Sequence, residues 1–294
     1  MNPLAGIAVL VASTWALSAL DATGKWVMAA GVTLWMLTWT RYAVHLLLVL
    51  ALVLPARGRG VLRSVCPRAQ LVRGGVMLVA TLSFFTTLHL LPQAEATAIN
   101  FLAPLIMLAL APWVLGEAPR ISRWIAAGVG FMGVLLIIRP GSGLDPLGTA
   151  FGLLTACLFA GQYIATRRVA KDDPLTTLIW SGAIGAVALT LLAPFLLPAA
   201  LPGLHALSPG QWLVLLSTGF WGAFGHLLQI QAYRIAPASM LAPFVYLQII
   251  AAAALGWFLW GAFPDAFTWL GILIVCASGV SIGWVEWHGR RRHA

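Results

Sequence analysis

Apolar residues run along this chain in blocks of about 17–25 positions, cut at intervals by turn residues and clustered charge. A block of that length crosses a hydrocarbon core of about 30 Å as a helix. The blocks fall at residues 4–25, 32–54, 71–90, 94–115, 121–139, 147–167, 175–197, 211–234, 238–260 and 267–287, which predicts ten membrane helices. The first ten residues, MNPLAGIAVL, lack the basic start of a signal peptide, so Leu4 onward reads as a span.

Composition leaves one class open. The chain has 294 residues, 61% hydrophobic and 9% charged, with 14 Trp and a mean hydropathy of +0.94. A soluble domain carries about a quarter charged residues. This chain cannot cover a water-facing surface, and an all-α integral membrane protein is the expectation. Cys66, Cys157 and Cys276 have neither metal-ligand spacing nor even pairing, and read as free thiols.

The net charge of +9 invites a nucleic-acid reading, but its placement argues otherwise. If the helices alternate in direction, 14 of the 17 basic residues fall on one side, including Arg57 to Arg73, Arg167, Arg168, Lys171 and the tail HGRRRHA. The other side holds only Lys25 and Arg139, with Arg41 inside the second span. Loops rich in Lys and Arg stay cytoplasmic, so both termini are expected in the cytoplasm. The basic loops are then topology signals and contacts for anionic lipid headgroups.

Shifting the sequence by 145 residues superposes the middle of each half: Pro92 on Pro237, Leu102 on Leu247, Gly116 on Gly261, Pro119 on Pro264 and Trp124 on Trp269. Each half, 1–141 and 142–294, then holds five helices. Five is odd, so the second copy enters the membrane from the opposite side. Such inverted repeats build secondary transporters with a midplane site between the halves.

Three segments carry a resemblance: LGE at Leu115–Glu117, RWIAAGVGFMGVLLIIRPG at Arg123–Gly141, and LWGAFPDAFTWLGILIVCASGV in the second half. With these the chain resembles the drug/metabolite transporter superfamily, with two EamA-type domains. The resemblance implies ten helices, cytoplasmic termini, the cytoplasmic (inner) membrane and a central cavity for small organic solutes. Known relatives export amino acids, amines and metal-chelating metabolites, and others import vitamins or S-adenosylmethionine. Two departures bear on exact two-fold equivalence. Gly261-Ala262 stands where the first half has Gly116-Glu117, and Ile249 replaces Pro104 while a proline appears at Pro243.

Polar groups inside apolar spans are costly and normally face protein or a watery cavity. Thr14, Ser18, Asp21 and Lys25 form one stripe on the first helix. Asp21 and Lys25 read either as a self-neutralised pair or as a mouth with Asp21 facing Arg41. Arg41 and His45 lie inside the second helix, Arg41 as an anchor or a coupling group and His45 as a packing residue. His226, Gln229 and Tyr233 share a face of the eighth helix, with Gly222 one turn earlier giving room. They read as cavity lining or as glue between helices. Tyr246 and Gln248 on the ninth helix, Gln162 and Tyr163 on the sixth, and Trp15 on the first complete a candidate solute-binding set. It suits a small, partly apolar solute with polar ends.

In LPQAEATAINFLAP, Pro104 removes a hydrogen bond to the Asn100 carbonyl, making Asn100 a candidate contact at a helix break. Glu95, near the start of that helix, is either stabilised by the helix dipole or a coupling group for protons. Glu117 with Arg120 and Arg123 reads as an ion-pair cluster or gate latch. GVGFMG at Gly128 to Gly133 matches a dinucleotide fingerprint, yet it lacks the preceding strand and sits within a membrane helix. Close helix packing explains these glycines and Gly279 and Gly283 better.

The expected function is a secondary transporter working by alternating access, moving an amino acid, amine or related metabolite, outward as the first reading. The alternative is a flippase for lipids or lipid-linked sugars. No Walker motif, metal cluster or nucleophile–base set supports an enzyme, and no cofactor is expected. Partners would be the solute, protons and lipid headgroups, with the chain a monomer or homodimer.

Overall fold

A computed structural model describes residues 3–115, 121–139, 143–236, 241 and 244–291. Among them every long element is a helix: α1 (Pro3–Ala29), α2 (Leu34–Arg57), α3 (Pro67–Leu90), α4 (Gln93–Asn100), α5 (Leu102–Leu115) and α6 (Ile121–Ile137). They continue as α7 (Pro146–Arg168), α8 (Pro174–Leu191), α9 (Ala193–His205), α10 (Pro209–Ile235), α11 (Leu247–Trp260) and α12 (Ala266–Arg291).

Three helices start with the same sequence device. Asp145, Asp173 and Ser208 each precede a proline at the first helical position and accept a backbone N–H, from Gly148, Leu175 and Gln211. The proline needs no amide partner there, and the side chain satisfies an orphan donor. Six helices (α1, α2, α3, α7, α8 and α10) are long and apolar enough to cross a membrane. Large apolar side chains such as Phe258, 84% exposed, and Phe195, 79% exposed, cover the outer face. Only lipid makes such a surface stable, so the chain is a multi-pass membrane protein.

The fourth expected span is divided. The helix breaks at Phe101, whose ψ of −2° departs from α geometry, and resumes at Leu102. Pro104 is the cause, because the Asn100 carbonyl loses its amide partner. The same change of geometry occurs at Tyr246, ψ −16°, immediately before α11. Phe101 and Tyr246 are 145 positions apart, and their rings pack with centroids 4.9 Å apart. The seventh expected span, 175–197, ends instead at Leu191, and α9 follows as a separate helix. Pro194 lies at the start of α9, where it removes an amide that α8 would need to continue.

The helices pack as α1 on α10, α3 on α7, α6 on α12, α2 on α8 and α4 on α11. At the α6–α12 crossing two glycine backbones touch: a Cβ on Gly271 would lie 2.6 Å from the Gly133 carbonyl oxygen. Gly130 is crowded by Leu105 and Gly279 by the Tyr246 phenol, whereas Gly128 faces open space. The expectation of glycine-permitted packing therefore holds for Gly130, Gly133 and Gly279, and the surroundings of Gly283 lie outside the description.

Two polar knots mark the ends of the bundle. At the end carrying Arg57, Arg68, Arg167 and Lys171 (the basic end), Asp172 accepts hydrogen bonds from Ser64 Oγ at 2.5 Å, Val65 N at 2.7 Å and Gln70 Nε2 at 2.7 Å. This ties the α7–α8 connection to the α2–α3 connection. At the far end, Arg139 beyond α6 pairs with Asp265, which caps α12 through the Thr268 amide. Residues Glu117 and Arg120, Pro237 and Pro243, and the Arg123 side chain lie outside the described set.

Candidate functional site

Between the break at Phe101 and the basic end lies a cavity of about 280 Å³. Its wall draws on α1, α2, α3, α7, α8, α10, the start of α11 and both sides of the α4–α5 break. Phe84, Phe85 and Phe159 supply apolar surface, and Arg41, Asp21, Asn100, His226 and several amides supply polar groups.

The sequence expectations divide cleanly here. Asn100, His226, Gln229, Gln248, Gln162, Tyr163, Asp21 and Arg41 all line the cavity. Trp15 and Tyr233 do not; they are 45% and 42% exposed. Tyr246 sits behind the wall, its ring on Phe101 and its phenol against Gly279. Glu95 is buried at the far end, with Oε2 lacking a partner.

Two wall residues were not expected. Arg73 read with the basic loop cations although it falls just inside the 71–90 block; α3 begins at Pro67, so Arg73 lies nearly two turns inside the helix. Its Nε donates to Thr166 Oγ1 at 2.8 Å and its Nη1 to Ser181 Oγ. His45 read as packing, yet it faces the cavity, its ring edge-on to His226 at 6.1 Å between centroids. The Pro at position 67 was the available signal for Arg73; for His45 its i,i+4 spacing from Arg41 was the signal.

Four buried polar atoms on the wall lack a partner: Asp21 Oδ2, Arg41 Nε, Asn100 Oδ1 and His226 Nε2. Groups of this kind are normally satisfied, and a cluster of exceptions around one cavity marks a place for a polar guest or water. Among the described residues no group of three potential metal ligands occurs.

Above this cavity the bundle is closed. Ser18 Oγ donates to the Gln248 carbonyl at 3.2 Å, and Gln93 Nε2 donates to the Ser18 carbonyl at 2.9 Å. These bonds clamp α1 between α4 and α11. Two turns further, Lys25 Nζ donates to the carbonyls of Leu88, at 2.7 Å, and Leu91, and lies 5.6 Å from the centre of the Trp260 ring. Lys25 therefore caps the end of α3 rather than forming an ion pair with Asp21. The open carbonyls of a helix C-terminus attract a cation, which explains the choice.

Comparison with known proteins agrees with this architecture. The model of the EamA-like transporter family matches residues 4–139 and again 146–283. The chain is 26% identical over 230 residues to an S-adenosylmethionine uptake transporter of Rickettsia prowazekii (strain Madrid E), covering 78% of this chain and 76% of that one. It is 29% identical over 213 residues to a pseudopaline exporter of Pseudomonas aeruginosa (strain UCBPP-PA14), covering 70% and 72%. A riboflavin transporter of Vibrio cholerae serotype O1 (strain ATCC 39315 / El Tor Inaba N16961) is 27% identical over 179 residues, covering 60% and 57%. One crystal structure shares the fold with a TM-score of 0.62 at 21% identity, over 96% of this chain and 98% of that one. The double match along the chain, on a bundle of apolar helices around a polar-walled cavity, means that this protein belongs to the EamA-like transporter family of the drug/metabolite transporter superfamily.

Proposed function

We propose that the protein is a secondary transporter that carries a small organic solute across the cytoplasmic membrane by alternating access. Its ten spans would be two inverted five-helix repeats, 1–141 and 142–294, with both termini cytoplasmic. One observation carries the reading: a cavity with unpartnered polar atoms, closed on one side by bonds between α1, α4 and α11. A polar-walled site sealed on one side is what one state of an alternating-access cycle needs.

The packing supports the repeat. Exchanging the halves turns α1 on α10 into α7 on α3, and leaves α6 on α12 and α2 on α8 as pairs on the exchange axis. The matching breaks at Phe101 and Tyr246 obey the same exchange. With the basic end in the cytoplasm, as Lys- and Arg-rich loops favour, the cavity faces inward and the Lys25 end seals the outside.

Asp21 and Asn100 offer acceptors, and Arg41 and His226 offer donors, beside aromatic walls. This suits a solute with polar ends and a partly apolar body: an amino acid, an amine or a related metabolite, with export as the preferred direction. Gln162, Tyr163, Gln229 and Gln248 would complete the contacts. Tyr246 would support the wall from behind, and Trp15 and Tyr233 would act only in another conformation. Relatives named for S-adenosylmethionine uptake, riboflavin and pseudopaline export support a small solute and leave its identity open. Glu95 and Asp21 are the candidate proton carriers, and no step calls for a cofactor or an enzymatic reaction. The chain would act as a monomer or homodimer.

The test is flux through purified protein in liposomes, using radiolabelled amino acids, amines and chelating metabolites, beside a fluorescent-lipid flipping assay. Saturable solute flux that disappears in Gly222→Trp, which fills the space beside Arg41 and His45, supports the reading. Lipid flipping without solute flux would replace it with the flippase.

A further inference from the structure

The cavity wall carries more fixed positive than negative charge. Arg41 and Arg73 line it against a single carboxylate, Asp21. The other acids with described side chains lie elsewhere: Asp145, Asp173 and Asp265 cap helices, Asp172 holds the basic-end loops, and Glu95 lies beyond the wall. Among the described residues neither wall arginine has a carboxylate within ion-pair distance. Arg73 is at least matched by two hydroxyls, from Thr166 and Ser181.

Arg41 is different. It is only 9% exposed, its guanidinium lies 5.1 Å from the Tyr42 ring centre and 5.7 Å from that of Phe85, and Nη1 donates to Thr81 Oγ1 at 3.2 Å. Nε has no partner. Two rings thus flank the guanidinium while its Nε–H stays unused. A guanidinium edge of that kind matches the two oxygens of a carboxylate. Gly222 borders this edge: a Cβ there would stand in ordinary contact, 3.8 Å from Arg41 Nε and 3.8 Å from His45 Nδ1, so a larger side chain would cover it. His226 Nε2, also unpartnered, lies on the same wall.

A buried guanidinium with no carboxylate within ion-pair distance, Asp21 acting on it only through space, is costly, and a guest anion in direct contact reduces that cost. We propose that the transported solute carries a carboxylate, which docks on the open edge of Arg41, with the apolar body of the solute against Phe84, Phe85 and Phe159. Arg41 is then the anchor, and the histidines beside it provide further N–H donors. This inference rests on the cavity being the solute site, and it narrows the solute to carboxylates, including zwitterions.

The test uses one ring with three heads: benzoate, benzamide and benzylamine, at constant ionic strength. Thermal unfolding of the detergent-purified protein is followed for the wild type, Arg41→Gln, Arg41→Lys and Gly222→Leu. Benzoate should raise the wild-type Tm by about 3–5 °C at ten times its dissociation constant, with little shift from the other two. Arg41→Gln and Gly222→Leu should lose the benzoate shift, and Arg41→Lys should keep a weaker one. If Arg41→Gln does not fold, the Lys and Gly222→Leu proteins decide. An equal shift from benzamide or benzylamine, a benzoate shift that survives the loss of Arg41, or no shift from any probe overturns the proposal. The transport reading fails separately: saturable flux of an amine with no benzoate shift would leave transport standing and remove the carboxylate anchor.

Discussion

Replacing Lys25 with methionine should unseal the far end. The ammonium holds the Leu88 carbonyl at 2.7 Å and the Leu91 carbonyl, and lies 5.6 Å from the Trp260 ring centre. It therefore joins α1 to the end of α3 and to the end of α11, across the proposed boundary between halves. Hydrogen bonds from a charged donor are worth about 1.5–3 kcal/mol each, and an ammonium near an indole adds about 0.5–2 kcal/mol. Part of this is repaid by water when the end opens, leaving about 3 kcal/mol in favour of closure. At 1.4 kcal/mol per decade, that is about a hundredfold change in the open fraction. The assay places a reporter at Ala94→Cys, a position 1% exposed, in a chain whose Cys66, Cys157 and Cys276 are serines. A membrane-impermeant maleimide is applied from the face opposite the basic loops. Lys25→Met should raise the labelling rate at least about tenfold, and Lys25→Arg should stay slow. Equal rates in all three proteins, with unchanged Tm, would refute the role of Lys25 as a closing contact.

Three further outcomes follow from particular contacts. Gly271→Val puts side-chain carbon against the Gly133 carbonyl, 2.6 Å from the site of the new Cβ, and should cost about 1–3 kcal/mol, read as a lower Tm; an unchanged Tm would mean the α6–α12 crossing is loose. At Asp172 burial works to raise the carboxyl pKa, but bonds from Ser64, Gln70 and the Val65 amide outweigh it and hold the group below its ordinary value of 3.8. A depressed folded-state pKa stabilises above the unfolded pKa and is lost as pH falls through the folded one. Asp172→Asn should therefore lower Tm at pH 7 and narrow its gap to wild type only below about pH 4; a gap that is the same at pH 3 and pH 7 would remove the ionised form from the account. Glu95→Gln should abolish uphill, proton-driven solute accumulation in liposomes while leaving downhill exchange; uphill transport that survives excludes Glu95 as the proton carrier.

The hydropathy blocks anticipated most helices to within a few residues, because a lipid-facing helix must be apolar along its whole length. The sequence also marked the break at Asn100–Pro104, since a proline removes a specific hydrogen bond wherever it sits. Where local cues competed, the reading slipped. Pro194 ended a helix that hydropathy alone would carry through, and Pro67 began one before its apolar block. Arg73, grouped with the loop cations, thus lies nearly two turns inside that helix. Side-chain choice was less legible. Lys25 had two partners available in sequence terms, an aspartate one turn back and carbonyls more than sixty residues away, and only packing selects the carbonyls. For the cavity, polar residues inside spans were a good guide, as Asn100, Gln162, His226 and Gln248 demonstrate. Helical spacing alone placed Tyr233 on the face of His226, but Tyr233 lies two turns nearer the basic end, past the cavity.

Counterflow in proteoliposomes tests the central claim most directly. Vesicles are loaded with an unlabelled solute that stabilises the protein, and entry of the labelled form is followed with no ion gradient. A cavity that opens alternately to each side predicts a transient, saturable overshoot in the wild type, absent in Gly222→Trp. Labelled entry that is linear in concentration, or an overshoot that persists when the cavity is filled, would contradict alternating access through this site.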